Sequence, residues 1–187
     1  MRPIVVYNES MNRGRVSGAG ITLLLLLVFS FSGEVAAAPR LNTASAKVVA
    51  VHDGDTLSVV IGRKKERVRL IGIDAPELAQ RPWGGHARKH LRDLLGFPGN
   101  GVTLEFDLEK RDRYGRLLAY VRTEDNKLVN LEMVRDGYAV LYTFPPNVRY
   151  VELLREGQRY AREEGLGIWG RNGLKEMPRD YRREHRR

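Results

Sequence analysis

The chain has 187 residues, enough for one domain with short extensions and a core that needs no covalent staples. It contains no cysteine, which excludes disulfides, thiolate chemistry and cysteine-built zinc sites. Its 32 Lys and Arg against 23 Asp and Glu give a net charge of +9, which suits nucleic acid first, an anionic membrane surface second, and equally a plainly solvated basic surface.

In chain order, the first feature is an apolar run, "ITLLLLLVFSFSG" (Ile21–Gly33), behind Arg13 and Arg15 and ahead of the small residues of "EVAAAPR". That order is the order of a secretory signal, and a secreted or periplasmic location is expected from it. The run is short for a bilayer span of about 20 residues, and the other reading is an uncleaved anchor that ties the protein to the envelope. Met11 is an alternative start, and residues 1–38 are set aside from the fold. Pro39–Ser45 reads as a linker.

Strands are expected at Ala46–His52, Thr56–Ile61 and Arg67–Ile73, the first two joined by an Asp-Gly turn and the last two by "GRKKE". Helical patterns follow at Gly84–Leu95, Leu128–Gly137 and Arg149–Gly165, the latter two closed by glycine. Between the first two helices, Val102, Leu104, Phe106 and Leu108 alternate with polar residues, and Leu117–Arg122 makes a fifth strand. Short strands in meander order suggest a small closed or nearly closed barrel in a β-rich α+β domain. The last stretch, 173–187, is charged, lacks apolar periodicity and reads as a disordered tail.

The candidate site begins at "DGDT". Asp53 and Gly54 are turn formers. With "GRKKE" as the hairpin turn, Asp55 faces Asp74 across the strands, at about 4.5–5.5 Å between Cβ atoms. Two like charges so placed destabilise a sheet, so either one carboxyl is protonated or a cation sits between them. With no cysteine available, a hard oxygen-seeking cation such as Ca²⁺ or Mg²⁺ is favoured. Pro76 stiffens the turn that presents Glu77, a third acid able to hold or deprotonate a water. Arg69, and Arg116 after a Tyr-Gly turn, suit a phosphate. Strict alternation puts Arg69 on the face opposite Asp74, so a bulge near "GID" or the reach of the side chain is required. His86 and His90 stand four apart on a predicted helix, but no third ligand accompanies them and zinc is not expected. His52 reads as a strand residue, Trp169 as a packing anchor, and "GRKKER" as a solvated hairpin tip.

"DGDT", "RLIGIDAPE" and "DRYGRLLAYV", in this order and at similar spacing, resemble the staphylococcal nuclease-like (thermonuclease) family, and "EGLGIWG" is similar to its closing segment. The resemblance covers about Ala46–Gly170, and the domain is placed at 46–172. It implies a five-stranded OB-fold barrel with three helices, and a secreted, Ca²⁺-dependent nuclease acting on DNA and RNA. Carried over by position, Asp55, Asp74 and the carbonyl of Ala75 would hold Ca²⁺. The family's best-known member has Thr at the position of Ala75, a change a carbonyl ligand survives. Arg69, Glu77 and Arg116 would be catalytic, while Tyr114 and Tyr142, and more loosely Phe144, match places where aromatics line the nucleotide site. "AQRPWGGHA" (Ala79–Ala87) departs from the family pattern in length and content, which bears on substrate preference. No obligate protein partner is evident and a monomer is expected. The rival reading is a non-catalytic OB-type module that binds nucleic acid or protein. The five retained acids and arginines argue against it.

Overall fold

The computed structural model describes residues 42–97 and 100–185. The apolar N-terminal run, with its signal or anchor reading, lies outside them. Among the described residues no helix is long and apolar enough to cross a membrane.

Strand β1 (Asn42–Val51) serves two neighbours. Asn42–Lys47 pairs with Phe106–Gly101 of β5 (Gly101–Phe106), and Lys47–Val51 pairs with β2 (Thr56–Ile61). The expected linker therefore ends sooner, because Asn42–Ser45 find backbone partners on β5. A bulge between Val48 and Ala50 bends β1 where it passes from one partner to the other. Strand β5 stops at Phe106, short of the expected Leu108. There the Asp107 carboxylate accepts the Arg149 N–H at 3.1 Å, and Leu108 points to solvent at 76% exposure.

The hairpin of β2 and β3 (Lys64–Leu70) departs from the sequence expectation. Its turn is Gly62–Arg63, with Gly62 at φ 61°, and Ile61 faces Lys64. Lys64 to Glu66 belong to the strand: Glu66 is held by Lys64 at 2.6 Å and by Arg111 at 2.9 Å. Thr56 consequently faces Arg69, and the Asp55 carbonyl accepts the Leu70 N–H at 2.9 Å. Asp55 and Asp74 are not cross-strand neighbours.

β3 pairs in parallel with β6 (Leu117–Thr123), β6 pairs antiparallel with β5, and the barrel closes in the order β1-β2-β3-β6-β5. This is the expected five-stranded OB-type barrel, filled by Leu57, Val59, Val68, Leu70, Leu104 and Val121, each at most 1% exposed. A two-stranded annex joins β4 (Ile73–Asp74) to β7 (Val140–Leu141).

The three expected helices are α1 (Trp83–Leu94), α2 (Val129–Arg135) and α3 (Val151–Glu163), which bury Ala87 and Leu91, Val129 and Met133, and Leu154 and Ala161. A fourth, α4 (Pro178–Glu184), corrects the reading of the tail as disordered. Pro178 opens it, Asp180 sits in its first turn and Arg182 and Arg183 in its last, all in accord with the helix dipole. Gln80 fastens the approach to it by donating from Nε2 to the Glu176 carbonyl at 2.8 Å.

Asn130 of α2 is fully buried and joins three elements. Its Oδ1 accepts the Val121 N–H of β6 at 2.9 Å, and its Nδ2 donates to the Ile71 carbonyl, at the turn leaving β3, at 2.8 Å. Asn130→Ala leaves both backbone groups unpaired in the core. We expect urea denaturation to show a loss of roughly 2–6 kcal/mol, from about 1–3 per orphaned group.

Candidate active site

The site is built on two turns. The first, Asp53–Asp55, folds tightly because the Asp53 carboxylate accepts the Asp55 N–H at 3.0 Å. Gly54 passes so close to the next layer that a Cβ would meet Ala75 Cβ at 2.6 Å and Ala87 Cβ at 2.7 Å. Asp55 is thus pressed against the loop that follows β4. Its Oδ2 accepts the Ala75 N–H at 2.8 Å and its Oδ1 accepts the Thr56 hydroxyl at 3.0 Å. Burial, then the charge of Asp55, pushes the Asp53 carboxyl up to about 6.

The second turn resolves the problem of faces. The chain leaves β3 after Leu70, turns at Ile71–Gly72 with Gly72 at φ 79°, and enters β4. A side chain at Gly72 would also strike Leu154 Cδ1 at 2.5 Å. The Gly72 carbonyl accepts the Tyr142 N–H at 2.9 Å, and Asp74 pairs with Val140. The turn cancels the alternation and returns Asp74 to the side of Arg69.

The convergence is close. Arg69 Nη2 lies 3.1 Å from Asp55 Oδ2 and 3.3 Å from Asp74 Oδ1, and Nη1 donates to the Leu70 carbonyl at 2.8 Å. Asp55 is 7% exposed and Asp74 1%. Burial raises the Asp74 carboxyl above its ordinary value, while Arg182 and Arg69 pull it down. Among the described residues no three His, Cys, Asp or Glu side chains form a ready-made metal cage. The two carboxylates share the Arg69 guanidinium, and Asp74 holds a second one, that of Arg182. A hard cation suits these oxygens, with backbone carbonyl and water completing its shell.

Glu77 follows Pro76 on the same loop, and its N–H donates to Gln80 Oε1 at 2.9 Å. Gly84 packs beneath this loop, where a Cβ would meet the Glu77 carbonyl at 2.0 Å. The Glu77 carboxylate accepts Arg182 Nη1 at 2.7 Å. Arg182 Nη1 also donates to Asp74 Oδ1 at 3.0 Å, and Nη2 to Asp74 Oδ2 at 2.7 Å. Burial opposes the charge on Arg182, but the bonds to Asp74 and Glu77 outweigh it and raise its pKa. Sequence reasoning missed this residue with the tail. Pro178 ahead of Asp180 was the helix-start signal that could have found it.

Arg116 stands apart from the carboxylates. Its Nε donates to Asp112 Oδ2 at 2.7 Å, and its N–H and that of Tyr114 share Asp112 Oδ1 at 3.0 and 2.9 Å. Since Val68 faces Leu117 in the parallel pair, Arg116 falls beside Arg67. Arg67, Tyr114, Gly115 and Arg116 line an open cavity of 460 Å³. The Tyr114 ring is 68% exposed, with the Arg113 and Arg116 guanidiniums 4.8 and 5.5 Å from its centre. Tyr142, beyond β7, is 36% exposed, and Phe144 is 66% exposed. Arg67 was likewise not singled out in the sequence. Nearby, burial and then the charges of Arg67, Lys65 and Arg88 lower the His52 pKa. His90 bonds to Asp136 at 2.8 Å and stacks on Tyr138.

The fold and the site define an OB-type barrel whose flank carries paired carboxylates ringed by arginines. The family model described as staphylococcal nuclease homologue matches residues 67–171. The chain is 38% identical over 130 residues to a thermonuclease of Staphylococcus intermedius, covering 65% of this chain and 73% of that one. It is 32% identical over 158 residues to a thermonuclease of Staphylococcus hyicus, covering 81% and 92%. It is 37% identical over 128 residues to the endonuclease YncB of Bacillus subtilis (strain 168), where the match covers 65% of this chain and 59% of that one. The chain belongs to the staphylococcal nuclease family. It spans less than two thirds of the length of the Bacillus subtilis relatives it matches, 59% of YncB and 42% of the prophage-derived endonuclease YokF.

Proposed function

We propose that the protein is an exported calcium-dependent nuclease that hydrolyses phosphodiester bonds of DNA and RNA. The observation that carries this reading is the convergence of Asp55 and Asp74 on Arg69 within 3.3 Å, with Glu77 tied to Asp74 through Arg182 and with Arg67, two residues before Arg69 on β3, lining the cavity that holds Arg116. Asp55, Asp74 and the carbonyl of Ala75 would hold the ion, which when bound supplies positive charge to a phosphate oxygen. Glu77 orients a water for in-line attack on phosphorus and accepts its proton as the new P–O bond forms and the ester bond breaks. Arg69 and Arg116 stabilise the charge on the equatorial phosphate oxygens. The exposed rings of Tyr114 and Tyr142 offer stacking faces to bases. A calcium seat with so few protein ligands is weak, on the order of 10⁻⁴–10⁻³ M, which suits an extracellular setting. The basic, apolar and small-residue order of the N-terminal segment supports export.

Incubation with DNA and with RNA, in Ca²⁺ or in excess EGTA, tests the reading. Cleavage in Ca²⁺ that stops in EGTA is expected. Retention of nucleic acid without cleavage in both would instead identify a binding module. Intact mass of the exported protein reports whether residues 1–38 are removed.

A further inference from the structure

Arg182 lies beyond residues 67–171 that the family model matches, yet it contacts two acids of the site. Its guanidinium forks across both oxygens of Asp74, at 3.0 and 2.7 Å, and reaches Glu77 Oε1 at 2.7 Å. Such bidentate, charge-assisted pairs are among the stronger polar contacts. The side chain comes from a different quarter of the sequence, on a helix of seven residues. That helix is placed by the burial of Pro178 and by Gln80, which bonds both the Glu77 N–H and the Glu176 carbonyl. One glutamine therefore couples the position of the Glu77 loop to the approach of α4.

We propose that Arg182 is a resident competitor for the cation seat, so that α4 holds the enzyme in a self-blocked state until calcium displaces it. The inference rests on the calcium reading above. An ion coordinated by Asp74 needs an oxygen that the guanidinium fork already uses, and two cations in so small a space repel each other. A short helix with one buried residue is a segment that detaches at low cost. While Arg182 remains, Asp74 and Glu77 are both engaged and Glu77 is not free to take a proton. Displacement releases the two acids together. Coupling of this kind is reciprocal: Arg182 weakens calcium binding by the same factor by which calcium weakens the docking of α4.

Both directions can be measured on the full chain. Isothermal titration with CaCl₂ should show Arg182→Ala binding more tightly than wild type, by about 5- to 150-fold. Arg182→Gln, which keeps the stem of the side chain, should do likewise. Arg183→Ala removes the same charge one residue on, from a side chain 70% exposed and paired with Asp180, and should leave the affinity unchanged. In wild type, added Ca²⁺ should speed amide hydrogen exchange in Pro178–Glu184. Equal affinity in Arg182→Ala and wild type, an equal gain in Arg183→Ala, or unchanged exchange in α4 would overturn the inference while leaving the calcium seat intact. Absence of calcium binding in every variant would overturn the seat and the inference together.

Discussion

Arg116→Ala should cleave DNA about 10³-fold more slowly than wild type, or worse, with its unfolding midpoint nearly unmoved. The expectation follows from where the side chain sits. Arg116 lines the open cavity with Tyr114, and the structural bond it makes is to Asp112. That pair is partly exposed, and such pairs contribute about 0–1 kcal/mol to stability. Asp112 keeps the backbone N–H groups of Tyr114 and Arg116 after the side chain is removed, so the turn survives. On the proposed mechanism, what is lost is a fixed positive charge where negative charge accumulates on phosphorus. Single-turnover kinetics with a short oligonucleotide, beside a urea titration, separates the two effects. Near-normal turnover would remove Arg116 from the chemistry.

Arg69→Ala should behave differently, losing about 3–5 kcal/mol of stability as well as activity, because it removes the shared partner of two buried carboxylates. Asp55 and Asp74 would then face each other, with Arg182 still on Asp74 but no counter-charge on Asp55. A cation bound to the folded state alone offsets part of this. At about 10 mM Ca²⁺ and a dissociation constant on the order of 10⁻⁴–10⁻³ M, the recovery is about 1.4–2.7 kcal/mol. Urea titrations with Ca²⁺ and with EGTA measure it. A variant as stable as wild type in EGTA would show that the two acids do not depend on Arg69.

The sequence placed Asp55 near Asp74 by a cross-strand pairing that the structure does not show; the two acids meet instead at Arg69. The polar run "GRKKE" looked like a turn, whereas Gly62 alone supplies the left-handed residue and Lys64–Glu66 continue the strand, tied down by Arg111. A shift of that kind should have separated the two acids. The Gly72 turn, whose effect alternation rules do not capture, brings them back. Local signals were enough for α1, α2 and α3, where apolar spacing marks all three and closing glycines mark α2 and α3. They were not enough for α4, whose seven residues carry almost no apolar face and are placed by Gln80 and by the acids of the site. Arg67 was invisible for a similar reason. Its neighbour Arg116 comes to it through a parallel pair that links strands far apart in the chain.

That parallel junction has a consequence for the assembly of the site. Val68 meets Leu117 only when a long loop has closed, an event that costs entropy before any contact offsets it. Until then the acids and Arg116 belong to separate fragments of an open polymer. Arg69 of β3 and Arg116, next to β6, therefore come together only in the closed barrel, and no shorter piece of the chain carries both.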